Sequence, residues 1–362
     1  MKLFKCQSCG QLLYFENTSC ERCSRRLGYL PQAFSVSAVE PAGERWTALA
    51  DPKRPFRFCD NAGYDACNWL FEADVAGSLC AACRHNHTIP DLSVADNVVL
   101  WRLLELNKHR LFYTLQRLRL PLVTRIDDPE HGLAFDFVAE SPSPTGPKVL
   151  TGHDNGPITI ALEEADDAER ERRRTKMGEP YRSLLGHFRH EVGHYFWDVL
   201  VRDGGRLDEC RAVFGDDSMD YGEALQAHYQ NGAPADWQEH YVSAYASTHP
   251  WEDWAETWAH YLHIVDTLEM ASAFGIRVQP RVVRDEALSA KIDLDPYRSA
   301  SMQEIIEAWL PLTFAMNSLN RAMGNQDLYP FVLSPPAIAK LSFVHDAVHR
   351  REAWSDGHPS MN

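Results

Sequence analysis

The stretch EPYRSLLGHFRHEVGHYFWDVLV, residues 179–201, decides the reading of this chain. Leu185, Phe188, Val192, Phe196 and Val199 recur at three- and four-residue spacing, the stripe of an amphipathic helix. On that helix His190 and His194 project from one face, close enough for two imidazole nitrogens to share one zinc ion. Glu191 is rotated about a quarter-turn from His190, so its carboxylate sits beside the metal rather than on it. There it can take a proton from a zinc-bound water and hand it to a leaving amine. A motif this short also arises by chance, so its surroundings matter. The helix is strongly apolar around the motif, and a β-rich stretch, ITIAL (158–162), precedes it. We read that stretch as an edge strand, where an extended peptide could dock by strand addition.

A catalytic zinc needs a third protein ligand and one position left open for water. Trp197 and Leu200 stand where the Gly and His of a longer HExxHxxGxxH motif would be, so the third ligand must come from elsewhere. SAYASTHPWEDWAETWAHYLH, residues 243–263, predicts a helix with Glu252 and Glu256 one turn apart on one face. We expect Glu252 on the metal. Glu256 would accept the free ring N–H of a liganding histidine and so fix its tautomer. Spacing alone leaves the reverse order of these two glutamates open. Asp253 and Glu223 read as surface acids, and Trp251, Trp254 and Trp258 as core. His249, His260 and His263 lie near this helix, but the metal is accounted for without them.

Cys6, Cys9, Cys20 and Cys23 form two CxxC units separated by ten residues, the bite of two knuckles around a tetrahedral zinc. Cys59, Cys67, Cys80 and Cys83 form a second set in which only the last pair is CxxC, with His85 and His87 as substitute ligands nearby. So small a region could hardly bury enough apolar surface to fold alone, and zinc binding would contribute its folding energy. Cys210 reads as an ordinary buried thiol. Further along, NVVLWRLLELNKHRLFYTLQRLRL predicts a long helix, GLAFDFVAE and PITIA strands, SPSPTGPK a loop, and DDAERERRR a solvated loop or helix face.

With 362 residues, 44% of them apolar and 24% charged, the composition is that of a globular chain long enough for two domains. A net charge of −15 argues against a general nucleic-acid binder, although Lys and Arg outnumber acids in the first 30 residues. No segment is apolar enough to span a bilayer, and the opening MKLFKCQSCGQ has no apolar signal core, so the expectation is a cytoplasmic protein away from membranes. In a reducing compartment, paired cysteines point to metal rather than to disulfides.

HEVGH followed by WEDWAETWAHYLH resembles the gluzincin metallopeptidases, and the ExxAE arrangement looks most like that of lethal-factor-type toxins and related peptidases. In those enzymes the first Glu binds zinc and a tyrosine seven residues before it helps stabilise the oxyanion. Tyr245 occupies that place, and the resemblance implies that role for it. Taken whole, including CNWL, TIPDL, TGHDNGPITI and HEVGHYFWD, the chain resembles bacterial zinc-binding metallopeptidases that carry an N-terminal zinc-ribbon region. His153 and Asp198 fall in these segments, and a packing or hydrogen-bonding role is expected for them.

The expected fold class is therefore α+β: a zincin-like domain, mainly helical with a small sheet, preceded by a Cys-rich zinc-ribbon region. The expected boundaries are 1–95 for the ribbon region with two four-cysteine zinc sites, 96–350 for the metallopeptidase domain, and 351–362 for a tail. The expected cofactors are one catalytic and two structural zinc ions. The expected substrate is a peptide or protein, with a protein or nucleic acid as the candidate partner of the zinc ribbon. The competing reading is a zinc-ribbon adaptor whose peptidase-like domain is not catalytic. A zinc hydrolase acting on something other than peptides has the same motif.

Overall fold

The computed structural model describes residues 2–140, 149, 151–153, 155–177, 183–282 and 285–349, without the side chains of 173–177. The SPSPTGPK loop and the 351–362 tail lie outside the described residues. The chain is of mixed helix and sheet, 47% helical and 17% strand, and the two kinds of element are unevenly shared. Two compact units divide at Arg172/Arg173, with nearly all the strands in the first and most of the helices in the second.

In the first unit, β1 (Phe4–Lys5) and β2 (Leu12–Leu13) form a hairpin. Five strands follow as an antiparallel meander: β3 (Leu27–Leu30), β4 (Ser35–Ala42), β5 (Arg45–Ala48), β6 (Asp51–Phe58) and β7 (Leu70–Glu72). A bridge between Tyr29 and Trp69 brings its two end strands together. The helix α1 (Ala95–Arg117) fills the span its periodicity predicts. It belongs to this unit because Tyr113 joins Phe15, Tyr29 and Trp69 in one aromatic cluster, with neighbouring ring centroids 4.8–5.4 Å apart. Fully burying each such ring stabilises the fold by roughly 2–3 kcal/mol.

The second sheet of this unit has the order β10-β11-β9-β8, comprising β8 (Asn86–Thr88), β9 (Ala134–Val138), β10 (Gly152–His153) and β11 (Pro157–Ala161). The expectation of an edge strand at ITIAL is corrected here. β11 is interior, parallel to β9 on one side and covered on the other by β10 through Gly152↔Thr159 and His153↔Ile158. The β-branched run alternates in burial, with Ile158 and Ile160 in the core, and both edges of the strand are paired rather than open. The charge run forms α2 (Asp167–Met177), and its described side chains are mostly solvent-facing.

The second unit is built on α3 (Leu184–Trp197), followed by α4 (Leu207–Phe214), α5 (Tyr221–Asn231), α6 (Trp237–His240), α7 (Pro250–Ala273), α8 (Met302–Ala322) and α9 (Pro335–His349). A small hairpin of β12 (Arg277–Val278) and β13 (Ala290–Lys291) sits before α8. The helix α3 starts where the Ser183 side chain accepts the Gly186 N–H and passes into a π-turn over Asp198–Arg202. Its packing against α7 depends on Gly193, because a β-carbon there would meet the Ala255 backbone and the Trp258 ring at 3.1 Å. Trp254 Nε1 donates to the Gly193 carbonyl at 2.8 Å, and Phe196 stacks on Trp258 at 5.0 Å. This close crossing sets the first turn of α7 against the two histidines of α3. The 243–263 helix begins later than expected, at Pro250, with Tyr245–Ser247 in a separate 3-10 turn. Proline at the first helical position and the His249 ring accepting the Trp251 N–H define the start.

Candidate active site and metal centres

His190 Nε2, His194 Nε2 and Glu252 Oε2 converge on one point. The two nitrogens are 3.2 Å apart, and the carboxylate oxygen lies 3.0 Å from the first and 3.6 Å from the second. A tetrahedral zinc with N and O ligands at about 2.0–2.2 Å spaces its donors about 3.3–3.6 Å apart, so the triangle has the size of a zinc face. Glu252 is 2% exposed and lies in the first turn of α7, where the helix dipole favours its charge. Around it the carboxylates leave a clear electrostatic mark. Burial pulls the His190 imidazole down, but the hydrogen bonds it donates to Glu252 and Glu256 outweigh this and hold the group well above its ordinary range. A divalent cation would take over this role of matching the carboxylates.

Glu256, one turn along α7, is 2.8 Å from His190 Nδ1 through Oε1, while its other oxygen accepts from Ser243 Oγ at 2.5 Å. Burial raises its carboxyl, yet the His190 bond brings it to about 2, so it stays an acceptor. Glu191 is buried beside the triangle and is not one of the three converging donors. Its carboxylate pairs with His187 Nε2 at 3.1 Å, one turn earlier on α3. Burial pushes this carboxyl up, and the His187 bond with the neighbouring imidazoles more than offsets it, leaving it below its ordinary range. Tyr245 presents its ring 6.0 Å from that of His190, and its phenol is pushed far up by burial and by the Glu252 charge, so it remains a donor.

Three neighbours escape the sequence reading. Tyr221, at the start of α5, donates to Glu252 Oε1 at 2.7 Å. Ser243 and His187 hold the two other carboxylates. Tyr221 and Ser243 stand at no motif spacing from the residues they touch, which is why the sequence does not disclose them, whereas His187 lies one helical turn before Glu191, a spacing the sequence does carry. Trp251, read as core, instead packs against His194, with ring centroids 3.9 Å apart and the rings tilted by 40°. Asp253, read as a surface acid, is fully buried and ion-paired to Lys340 Nζ of α9 at 2.6 Å. Burial raises its carboxyl to about 7 against the pull of that lysine. Glu223 is exposed, as read. His249 caps α7. His260 and His263 are held neutral by burial, at about 4 and about 3, against Tyr329.

In the first unit, Cys6, Cys9, Cys20 and Cys23 bring their sulfurs within 4.8 Å of one another, with 3.8 Å between Cys6 and Cys23 and 3.5 Å between Cys9 and Cys20. Thiolates at about 2.3 Å from a tetrahedral zinc would be about 3.8 Å apart. Each CxxC turn closes in the same way: the amide of the fifth residue, Gly10 or Ser24, donates to the first cysteine's carbonyl and takes a left-handed conformation. Cys59, Cys67, Cys80 and Cys83 form the second cluster, fully buried, with Cys67 and Cys80 3.8 Å apart. Here the thiols oppose one another. Hydrogen bonds from Cys67, Cys80 and Cys83 hold Cys59 far below its ordinary range, while burial pushes Cys67 and Cys83 well above theirs. A bound dication would resolve that conflict.

Neither His85 nor His87 joins the second cluster. His85 Nδ1 donates to the Leu133 carbonyl at 2.8 Å, and His87 pairs with Asp136 at the surface. The histidine that does approach is His109 of α1. Its Nδ1 donates to the Glu105 carbonyl, and its Nε2 lies 3.2 Å from Cys67 Sγ and 3.5 Å from Cys83 Sγ. Cys210 is buried away from these clusters, and burial pushes its thiol up to about 12. His153 accepts the Gly156 N–H, and Asp198 pairs with Arg202. Among the described residues, no helix is long and apolar enough to cross a membrane.

Comparison with known proteins agrees with these observations at the level of family. Proteins of Mycobacterium bovis and Mycobacterium tuberculosis, all described as uncharacterized, are 39% identical over 349 residues, covering 96% of this chain and 95% of theirs. No solved structure matches the chain. A zinc-ribbon domain family matches residues 3–94. Residues 97–347, which carry every histidine and glutamate of the triangle, match the family described as "Putative zinc-binding metallo-peptidase", and the chain belongs to that family.

Proposed function

We propose that the chain is a zinc-dependent peptidase of the gluzincin type, in which His190, His194 and Glu252 hold the catalytic metal. The observation that carries this reading is the triangle of three donors, 3.0–3.6 Å on a side, with Glu191 buried beside it, outside the three donors and paired with His187. Bound there, zinc would polarise a substrate carbonyl and activate a water molecule. Glu191 accepts the proton of the attacking water and delivers it to the leaving nitrogen. His187 holds that carboxylate toward the site. The Tyr245 phenol, kept protonated, donates to the carbonyl oxygen as negative charge develops on it, an effect worth roughly 3–4 kcal/mol where the donor is preorganised. Glu256 fixes His190 with Nδ1 protonated, leaving Nε2 free to bind metal.

The two thiolate clusters are proposed to hold structural zinc, giving three ions per chain. Peptide as the substrate class is supported by the family rather than by a docking strand. In the zinc-ribbon region, Arg25 pairs with Glu40, and Arg54 with Asp51 and Glu72, which reduces the basic surface that a nucleic-acid partner would need. The test is Glu191→Gln in the full chain, incubated with a peptide library and read by mass spectrometry. Zinc content should stay at three per chain while cleavage falls by roughly 10²–10⁴-fold. Undiminished cleavage by the variant would sink the assignment.

A further inference from the structure

The bond from Tyr221 to Glu252 has a function of its own. Glu252 offers two oxygens, and the structure gives them different partners: Oε2 faces the imidazoles of His190 and His194, while Oε1 accepts from the Tyr221 phenol at 2.7 Å. An ionised carboxylate can only accept, so the tyrosine is the donor, and with Glu252 2% exposed little water competes for that oxygen. A carboxylate with a free second oxygen can bind a divalent cation through both, using up the position that a hydrolytic site keeps for water.

We propose that Tyr221 is a positioning residue that confines Glu252 to one-oxygen ligation and so keeps the fourth place around the metal open. This rests on the metal-centre reading given above.

The way Tyr221 is mounted supports the assignment. It is the first residue of α5, whose start is fixed by Asp220 accepting the Glu223 N–H at 2.8 Å. The preceding residue but one, Met219, gives its carbonyl to His249 Nε2 at 3.1 Å. The other ring nitrogen of His249 accepts the Trp251 N–H, so Nε2 carries the proton and donates. Two bonds from the start of α7, one from His249 and one to Glu252, therefore hold the 219–221 segment in place. The rest of α5 buries no residue, and the Tyr221 ring itself packs edge-on against His249 and Trp251 at 5.5 and 5.8 Å.

The experiment uses the full chain with both thiolate sites left zinc-loaded. A mild chelator empties the histidine site, which is refilled with Co(II). In wild type, the visible d–d bands should have the high intensity of four-coordinate cobalt. In Tyr221→Phe they should fall several-fold as a fifth donor enters, with the cobalt Kd raised about 10–100-fold, the usual effect of losing a ligand's hydrogen-bond partner. A far-UV circular dichroism spectrum and thermal melt matching wild type show that the variant is folded. In the zinc-loaded variant, kcat should fall with KM little changed. An unchanged spectrum and Kd in Tyr221→Phe overturn the proposal, even if turnover falls, because Tyr221 would then act on substrate directly. Glu252→Ala is measured alongside. If it binds cobalt as tightly as wild type, the metal-centre reading and the role of Tyr221 fall together. If it loses cobalt while Tyr221→Phe matches wild type, only the role of Tyr221 falls.

Discussion

The thiolate clusters of the first unit and the histidine triangle of the second are built on opposite plans. Each cluster gathers four sulfurs from short turns and closes around its centre. The triangle gathers three donors from two long helices, and outer contacts hold two of them: Tyr221 on Glu252, Glu256 on His190. Closure suits a metal that holds a fold together, and an incomplete shell suits one that must meet a substrate. The contrast also lies in what supports the ligands. The cysteines hang on segments with little core of their own, so ligand and fold depend on each other. The histidines stand on a helix crossing that Gly193, Trp254 and Trp258 would keep in place without metal.

The largest effect should come from breaking a closed site. Cys67→Ser should cost much of the structural zinc's contribution, which is on the order of 10 kcal/mol in zinc-dependent small folds, and unfold the first unit. Zinc stoichiometry and thermal melting by circular dichroism would record it. A normal melt with one zinc missing would show instead that the aromatic core suffices. Next in size, Glu252→Ala should weaken metal binding at the triangle by roughly 100-fold or more while leaving the melt of the apoprotein nearly unchanged, because the α3–α7 crossing does not depend on it. Competition with a chelator measures this, and an unfolded variant would erase the proposed difference between the two plans.

Glu256→Ala should weaken the same site less, about 10–100-fold, since it acts through His190. A larger loss than for Glu252→Ala would exchange the two roles. The smallest effect is expected for His109→Phe, which should cost about 1–2 kcal/mol in the first unit with both thiolate-bound zinc ions retained. Loss of one zinc from that variant would make His109 a ligand and the second cluster a mixed Cys/His site.

How far the sequence discloses the molecule follows from the range of its signals. HEVGH and the CxxC pairs place ligands within one turn or one knuckle, and local spacing is enough to read them. The helix α1 and the strands β9 and β11 are legible because their periodicity is regular. What is set by tertiary contact is not. Asp253 looks like any acid on a helix until Lys340, far along the chain on α9, is seen to bury with it. His109 is one apolar-helix residue among many until the crossing of α1 over the second cluster brings it to Cys67. The hydroxyls that fix the metal-site carboxylates, Tyr221 and Ser243, come from segments with no periodic pattern. Strand order is equally hidden: the two residues of β10, which make β11 interior, are too short to register as a strand.

The helix α5 lies between Gly215 and Gly232, both in left-handed backbone that favours glycine, and none of its residues is buried. In evolutionary terms this makes it a cassette. Beyond Tyr221 and its anchor to His249, the segment can be lengthened, shortened or rewritten without removing a side chain from the core. Changes there would leave the buried crossing of α3 and α7, and the three donors it brings together, as they are.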